Sequence, residues 1–326
     1  MKALMCHAYG PIDNLKVEDV PSPQPGPDQV LITVKAAALN FPDALVVQGL
    51  YQHKPTFPFS PGGEVAGVIK ALGANVTGFS VGDRVLASIG TGGFAEECLA
   101  STLRLMPLAD GMDFELGAAF TLTYGTSLHA LQRCAQLKAG ETLLVLGAAG
   151  GVGLAAIEIG KALGARVIAA ASTDEKLALC RSVGADETVN YTTEDLRKRV
   201  DALTGDKGAD VTYDPVGGKY AEAGLRATAW RGRFLVVGFA AGEIPKIPLN
   251  LALLKERFII GVHWGEAVRR DRSEFTTDMK LLHEWFAAGR IKPVIRERLD
   301  LAQAVDAIKR IANRQVMGKV VVLPRG

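Results

Sequence analysis

The sequence predicts an α/β protein in which a doubly wound parallel sheet is joined to a smaller β-rich domain. Between about residues 121 and 265, short apolar runs alternate with helical patterns, as in parallel strands connected by helices. In residues 1–120, strand-like runs are instead separated by Pro and Gly clusters. The chain of 326 residues is long for one compact core, so two domains are expected.

The β-rich part of the chain is predicted to form a small barrel. Residues 30–34 and 65–71 are strand-like, and Val-Gly-Asp-Arg-Val at residues 81–85 indicates a bend. The apolar spacing becomes helical from residue 116 to residue 137. This stretch is expected to lead into the second domain.

The centre of the chain carries a glycine-rich turn between a strand and a helix. Residues 143–146 are an apolar run typical of a buried strand, and the turn covers residues 147–153. Gly150 and Gly151 would let the backbone approach a pyrophosphate with no Cβ in the way. The free N–H groups at the helix start, where Val152 lies, would face the anion. We therefore predict that these three residues bind a dinucleotide; a structural glycine turn is the alternative.

The residues after the second predicted strand, 166–170, indicate which dinucleotide binds. NAD-binding units place an Asp or Glu about 20 residues past the glycines, where it holds the ribose hydroxyls. This position falls at Ala171, followed by Ser172 and Thr173, with Lys176 one turn further on. Two hydroxyls and an ammonium suit a 2′-phosphate, which predicts NADPH over NADH. In the alternative, Ser172 or Thr173 is a helix N-cap and Lys176 is a solvated lysine.

Four further strands complete the predicted doubly wound sheet, whose ligand lies at the carboxyl ends of the strands. Thr193 is the predicted N-cap of one connecting helix. The strands are expected at residues 187–190, 210–214, 233–237 and 258–262, and the helices at residues 154–163, 174–183, 194–203 and 219–229.

The C-terminal segment does not extend this alternation. Helices at residues 275–288 and 301–312 precede a strand at residues 319–323. These elements are expected to return and complete the first domain, with the nucleotide-binding domain inserted in it. The expected domain boundaries are residues 1–120, 121–265 and 266–326.

Composition excludes several classes of partner. The 37 Lys and Arg residues nearly balance the 35 Asp and Glu residues, so no nucleic-acid partner is expected. No segment has about 18 uninterrupted apolar residues, which predicts no membrane span. The N-terminus lacks the apolar stretch and cleavage site of a signal peptide, so a cytoplasmic location is expected. The four cysteines form no C-x-x-C pair.

Five motifs together resemble the medium-chain dehydrogenase/reductase superfamily, in its zinc-independent quinone oxidoreductase (zeta-crystallin-like) branch. The resemblance implies a GroES-like catalytic domain from the two ends of the chain, a Rossmann domain between them and NADPH in the cleft. It also implies a homodimer that pairs through the sixth strand. The motifs are Asn-Phe-Pro-Asp at residues 40–43, Gln-Gly-Leu-Tyr at 48–51, Pro-Gly-Gly-Glu-Val-Ala-Gly at 61–67, Val-Gly-Asp-Arg-Val at 81–85 and Ala-Ala-Gly-Gly-Val-Gly at 148–153.

The zinc ligands of related alcohol dehydrogenases are not matched. Asn40 stands at the first ligand position, and Gly-Gly-Glu at residues 62–64 replaces the Gly-His-Glu motif. Glu64 alone does not make a catalytic zinc site, which needs about three protein ligands. We therefore predict no metal. Without zinc, a conjugated acceptor such as a quinone or an enone is expected, because its developing charge spreads to an oxygen.

The resemblance also implies roles near the reacting groups. Tyr51 aligns with a tyrosine that helps protonate the product in related enoyl-thioester reductases, although a packed tyrosine is the alternative. Asn40 aligns with an asparagine on the nicotinamide side of quinone oxidoreductases. Leu45 replaces a tyrosine of several such enzymes and makes the pocket more apolar. Trp264, after the sixth strand, is expected to line the acceptor pocket.

Further cofactor contacts are implied by the same resemblance. Tyr191, with Ser172 and Lys176, matches the family's 2′-phosphate pocket. Thr126 aligns with a threonine near the nicotinamide ribose, and Phe239 is expected beside the nicotinamide. Arg314 aligns with an arginine that reaches the cofactor from the C-terminal segment; a structural role is the alternative.

Three hypotheses for function follow. The first is an NADPH:quinone oxidoreductase. The second is a 2-enoyl thioester reductase acting on acryloyl- or crotonyl-CoA, for which Arg269, Arg270 and Arg272 are the candidate ligands of the CoA phosphates. The third is an NADPH-binding protein without catalytic activity.

Overall fold

The structure, a computed structural model, describes residues 1–325 and divides into two compact units. The first unit contains Met1–Leu122 and the chain from Pro293 onward, and the second contains Thr123–Lys292. The second unit therefore includes residues 266–292, which lie beyond the expected boundary at residue 265. These residues contain the helix Arg272–Ala287, in which Asp278 forms an ion pair of 2.6 Å with Arg133 of the same unit.

The N-terminal part of the first unit is mainly antiparallel sheet. Its longest strand is buried at most positions, including Val30, Ile32 and Val34, so both faces of this strand are largely covered. The strands are β1 (Lys2–Met5), β2 (Lys16–Asp19), β3 (Gln29–Ala38), β4 (Glu64–Leu72), β5 (Arg84–Ser88), β6 (Glu97–Ser101) and β7 (Leu105–Pro107), and the helices are α1 (Phe41–Val47) and α2 (Phe114–Ala118).

The second unit alternates strands and helices. Helix α3 (Thr121–Leu128) leads into it and continues as a π-helical turn, His129–Cys134. The strands are β8 (Thr142–Leu146), β9 (Arg166–Ala171), β10 (Glu187–Asn190), β11 (Ala209–Asp214), β12 (Thr228–Val236) and β13 (Phe258–Gly261). The helices are α4 (Gly151–Ala162), α5 (Asp174–Ser182), α6 (Leu196–Thr204), α7 (Gly218–Ala227), α8 (Asn250–Leu253), α9 (Trp264–Arg270) and α10 (Arg272–Ala287).

The predicted doubly wound sheet is confirmed. All six strands of the second unit are parallel, in the order β10-β9-β8-β11-β12-β13. The order reverses between β8 and β11, where open parallel sheets bind their ligands. Residues 143–146 are fully buried, because helices cover both faces of such a sheet and its strands must be apolar throughout.

Two local predictions in this unit were wrong. The N-cap of α6 is Asp195 rather than Thr193, since the Asp195 carboxylate accepts the Lys198 N–H at 2.9 Å. The fifth strand starts at Thr228, five residues earlier than expected, because Thr228 already pairs with Ala209 on β11. The helix before it therefore ends at residue 227.

The chain then returns to the first unit as β14 (Ile295–Asp300), α11 (Ala304–Ala312) and β15 (Lys319–Leu323). The resulting sheet has the order β14-β15-β3-β4-β5-β7, and β6 also pairs with β3. Strand β15 runs antiparallel to β3, with Val321 opposite Ala38, and Ala38 is in turn opposite Glu64 on β4. This register brings the end of the chain beside residues 40 and 64.

Within residues 1–325, the helices are all too short or too polar to cross a lipid bilayer.

Candidate functional site

A tight turn connects β8 to α4 at the point where the strand order reverses. Gly147 adopts a φ of +57°, and its carbonyl accepts the Gly150 N–H at 3.1 Å. Gly150 is the N-cap of α4, and Gly151 and Val152 begin its first turn, whose N–H groups have no intrahelical acceptor. A Cβ on Gly150 would meet one atom within 4 Å, the Gly147 oxygen at 3.5 Å. The space on the Cβ side of Gly150 is therefore open.

Gly153, one turn into α4, serves packing instead. A Cβ at this position would lie 2.6 Å from the carbonyl oxygens of both Gly147 and Ala148. Any side chain there would push the helix off the turn.

The carboxyl end of β9 carries a hydroxyl and an ammonium in contact. The Lys176 ammonium donates to the Ser172 hydroxyl at 3.2 Å. Thr173 is the N-cap of α5, and its hydroxyl accepts the Lys176 N–H at 3.3 Å. Of the two residues considered as N-caps, Thr173 therefore caps α5. The Ser172 hydroxyl does not cap the helix and instead contacts the Lys176 ammonium. Ala171 is fully buried, so the position that is acidic in NAD-binding units is apolar here.

Tyr191 lies next to this pair, at the end of β10. Its N–H donates to the Ala171 carbonyl at 3.2 Å, and the neighbouring Thr192 hydroxyl donates to the Ser172 carbonyl at 3.0 Å. The Tyr191 ring lies against that of Tyr220, with 4.2 Å between centroids. The structure therefore places the backbone of Tyr191 beside the end of β9, and a shared role of Ser172, Lys176 and Tyr191 at a 2′-phosphate stays a prediction.

Phe239 and Thr126 occupy separate places in the second unit. Phe239 follows β12 and lies against the turn after β11, where a Cβ on Gly217 would come within 2.8 Å of its ring. Thr126 is half-buried on α3. Their contacts with the nicotinamide end of a cofactor stay predictions.

Trp264 is packed within the second unit. It is 8% exposed, its ring centroid is 6.2 Å from that of Phe275, and a Cβ on Gly125 would lie 2.5 Å from its ring. Gly125 is thus required for this packing. Little of the Trp264 ring is left to face an acceptor, and its role in a pocket stays a prediction.

The arginines singled out from the sequence lie at the surface. Arg269 and Arg270 both pair with Glu266 on α9, at 2.7 and 2.8 Å, which offsets half of their charge. Arg272 begins α10. In the first unit, Arg314 is exposed just after α11 with a φ of +59°, and its contact with a cofactor stays a prediction.

A buried polar cluster lies in the first unit, around Asn40. The Lys319 ammonium donates to the Asn40 amide oxygen at 2.7 Å and to Glu64 at 2.6 Å. The Asn40 amide nitrogen donates to the same Glu64 oxygen at 2.9 Å, and the other Glu64 oxygen accepts the Leu122 N–H at 2.8 Å. Asn40, Glu64 and Lys319 are 6%, 0% and 4% exposed. Removing one partner of such a buried pair typically costs about 3–5 kcal/mol.

Asp43 connects this cluster to Tyr51. Its carboxylate accepts the Asn40 N–H at 2.7 Å and the Gly62 N–H at 3.2 Å, yet burial raises its pKa to about 7. Burial and the nearby charge of Asp43 raise the pKa of Tyr51. Tyr51 is half-buried against the core of the first unit, and Leu45 is half-buried on α1. The phenol of Tyr51 therefore keeps its proton at neutral pH and can donate it.

Sequence reasoning missed Asp43 and Lys319. Asp43 could have been found, because an acid three residues after Asn40 matches the capping pattern at the start of α1. Lys319 gave no local signal, since it begins an apolar strand and its partners lie more than 250 residues away.

Within residues 1–325, no group of three or more His, Cys, Asp or Glu side chains could hold a metal ion. Glu64 is instead neutralised by the Lys319 ammonium.

Two family models match the two units. Residues 26–110 match the alcohol dehydrogenase GroES-like domain, and residues 151–284 match the model described as zinc-binding dehydrogenase. These matches confirm the predicted GroES-like and Rossmann fold classes.

Relatives match over almost the whole chain. A quinone oxidoreductase-like protein 2 homolog of Nematostella vectensis is 38% identical, over 98% of this chain and 88% of its own. A quinone oxidoreductase of Rattus norvegicus is 35% identical over 99% of this chain and 98% of its own. The structure of an Escherichia coli quinone oxidoreductase complexed with NADPH matches with a TM-score of 0.94 and 27% identity, covering 99% of this chain and 100% of that one. This chain belongs to the quinone oxidoreductase family of the medium-chain dehydrogenase/reductase superfamily.

Proposed function

We propose that this protein is an NADPH-dependent reductase that transfers a hydride to a quinone. The observation that carries the proposal is the contact between Ser172 and Lys176 at the end of β9, where an NAD-specific unit has an acid. The NADPH-bound relative from Escherichia coli adds support.

The residues of the second unit fit NADPH. The open space beside Gly150 and the first turn of α4 suit the pyrophosphate, and the Lys176 ammonium and Ser172 hydroxyl suit the 2′-phosphate. Bound NADPH supplies a hydride from its nicotinamide ring. Asn40, Thr126, Phe239 and Arg314 are proposed to contact its remaining groups.

The residues at the zinc-ligand positions favour a conjugated acceptor. Asn40 and Gly63 are not the Cys and His that bind catalytic zinc, and the Glu64 carboxylate is occupied by Lys319. A quinone spreads the incoming charge onto an oxygen, so one hydride would convert it to the hydroquinone anion without a Lewis acid, and one further proton from solvent would give the hydroquinone. The half-buried Leu45 supplies apolar surface on α1.

Reduction of a 2-enoyl thioester is the second candidate, and it is favoured by Tyr51. Its phenol is protonated at neutral pH, as a proton donor to the product requires, although burial and the charge of Asp43 raise its pKa and make it a weaker acid. Against it, the Glu266 carboxylate already pairs with Arg269 and Arg270, which reduces their attraction for the CoA phosphates.

NADPH oxidation by wild type and Tyr51→Phe separates these candidates. We expect 1,4-benzoquinone to be reduced by both proteins at similar rates, and crotonyl-CoA to be reduced poorly. If crotonyl-CoA is the better acceptor and Tyr51→Phe loses most of that rate, the protein is an enoyl reductase. Tight NADPH binding without oxidation by any acceptor would indicate a non-catalytic NADPH-binding protein.

We also propose that the protein is a homodimer joined through β13. This strand is the edge of the parallel sheet, and its Phe258 and Ile259 are 55% and 42% exposed. An apolar edge strand exposes unpaired backbone groups that a second copy can pair. Nearby Leu249 and Leu253 are more than 70% exposed, which extends the apolar surface.

A further inference from the structure

The Asn40 side-chain amide is almost fully engaged within the first unit. Its nitrogen donates to Glu64 at 2.9 Å and to the Ala38 carbonyl at 3.3 Å, so both N–H groups are used. Its oxygen accepts from the Lys319 ammonium at 2.7 Å. A carbonyl oxygen has two lone pairs, so the remaining capacity of this amide is one acceptor position.

The partners also fix the orientation of the amide. An ammonium can only donate and an ionised carboxylate can only accept. If the Asn40 amide turned over, its NH₂ group would face the Lys319 ammonium and its oxygen would face the Glu64 carboxylate. Both contacts would become repulsive, so a single orientation is allowed.

Lys319 is itself held in place from two directions. It is 4% exposed at the start of β15, and the Glu64 carboxylate that binds it is fixed by the Leu122 N–H at 2.8 Å. Burying an ammonium and a carboxylate is costly, and an apolar pair of similar size is often at least as stable. What the pair does fix is the orientation of the Asn40 amide, through the Lys319 ammonium on its oxygen and the Glu64 carboxylate on its nitrogen.

We propose that Lys319 is a positioning residue that locks the Asn40 amide, leaving its oxygen as an acceptor for a donor group of the bound reactants. The inference rests on the proposed NADPH-dependent reduction. The donor chemistry is a hydroxyl or an amide N–H, which a nicotinamide nucleotide carries and which the hydroquinone product also carries. Asn40 would therefore hold a reactant through acceptance of a hydrogen bond, and never through donation.

The double variant Glu64→Gln/Lys319→Met tests this inference without leaving a buried charge. The oxygen of the new amide at position 64 can still accept the Leu122 N–H, which turns its NH₂ group toward Asn40. The Asn40 amide is then favoured to invert and present its NH₂ group to the reactants, because the new NH₂ group at position 64 opposes the wild-type orientation and the bond of 3.3 Å to the Ala38 carbonyl is what still supports it. We expect a melting temperature within about 5 °C of the wild type, with reactant binding or hydride transfer impaired.

The measurements distinguish the source of the donor. If the nicotinamide nucleotide supplies it, the Kd for NADPH rises about tenfold. If the acceptor or its product supplies it, the Kd for NADPH is unchanged, kcat with 1,4-benzoquinone falls about 100-fold, and the kinetic isotope effect with 4-deuterated NADPH changes. A folded double variant with unchanged Kd, kcat and isotope effect would overturn the inference.

A second Lys–Glu pair gives a matched control. Lys70 on β4 and Glu97 on β6 are 2.7 Å apart in the same sheet; the Glu97 side chain is 5% exposed and the Lys70 side chain 50%, so this control matches the buried carboxylate but has a more exposed ammonium. The variant Glu97→Gln/Lys70→Met is expected to keep the Kd and kcat of the wild type. Impairment of this control to the same degree would show a general effect of removing an ion pair, which would also overturn the inference.

Two further outcomes remain decisive. If none of the acceptors supports NADPH oxidation by the wild type, the proposed function is wrong. The Kd for NADPH then decides the inference: a changed Kd in the double variant supports it, and an unchanged Kd overturns it. If the double variant does not fold, wild-type protein labelled with ¹⁵N-asparagine is used. The Asn40 NH₂ hydrogens should exchange far more slowly than those of exposed Asn313, and remain slow with NADPH and quinone present; release on binding would overturn the inference.

Discussion

The Lys176 ammonium lies 3.2 Å from the Ser172 hydroxyl, one helical turn away, at the carboxyl end of β9. Ser172 is half-buried after the strand, and Lys176 is on the first turn of α5. Because the two groups are in contact, a phosphate on the ribose 2′ oxygen placed beside them could accept from both, as the proposed function requires.

Loss of the lysine charge should reduce the preference for NADPH over NADH. We expect Lys176→Met to weaken NADPH binding about 10- to 100-fold, the range for hydrogen bonds to charged groups, and to leave NADH binding nearly unchanged. Fluorescence titration with both nucleotides measures this. Lys280→Met, at an exposed lysine on α10, should change neither affinity. Equal losses for NADPH and NADH in Lys176→Met would contradict the assignment.

Two glycines of the same turn should respond differently to alanine. Gly150→Ala is expected to keep the melting temperature, since its Cβ has room, but to raise the Kd for NADPH because the methyl group occupies the phosphate's approach. Gly153→Ala should lose about 1–3 kcal/mol of stability through overpacking against two carbonyl oxygens, and bind NADPH more weakly. Thermal unfolding and NADPH titration of both variants provide the test. Unchanged NADPH binding by Gly150→Ala would place the pyrophosphate elsewhere.

A buried glutamate should make folding stability depend on pH. Burial raises the pKa of Glu158 from 4.5 to about 7; Tyr124 and the Lys292 N–H both donate to its carboxylate. Between these pH values the unfolded chain releases the proton and the folded protein retains it. The free energy of unfolding therefore falls as pH rises, by up to about 1.4 kcal/mol per pH unit from this group.

Glu158→Gln removes that ionisation and keeps one acceptor and one donor at the position. We expect its stability relative to wild type to increase between about pH 4.5 and pH 7, as measured by urea denaturation. Glu284→Gln, at an exposed glutamate on α10, should follow the wild-type curve. Parallel curves for wild type and Glu158→Gln would show that Glu158 ionises normally in the folded state.

A charge on the edge strand should separate the proposed dimer. Phe258→Lys is expected to give particles of one 34.6 kDa chain by light scattering, whereas the wild type has twice that mass. Leu103→Lys places the same charge on another exposed apolar residue, in the first unit, and should leave the mass unchanged. A wild type with the mass of one chain would rule out the dimer.

Local pattern was sufficient for the nucleotide-binding half of the chain. The continuous apolar run at residues 143–146 is typical of a strand buried on both faces, and the glycines that follow favour a tight turn, in which Gly147 has a φ of +57°. The roles of Ser172 and Lys176 could also be predicted from local pattern, because both residues follow the second strand and are one helical turn apart. The cap at Asp195 was missed because Thr193, two residues earlier, has an equally suitable side chain.

The sequence by itself determined the doubly wound fold and the residues expected to recognise a 2′-phosphate, since each depends on the local pattern of successive strands, turns and helices. It also determined the family, since the five motifs between residues 40 and 153 resemble it together. Only the tertiary structure decided that Lys319 meets Asn40 and Glu64. That meeting depends on β15 pairing antiparallel to β3, and β3 to β4, in one register. Because a shift of one residue turns every side chain to the opposite face of the sheet, no local pattern could specify which buried amide the ammonium would hold.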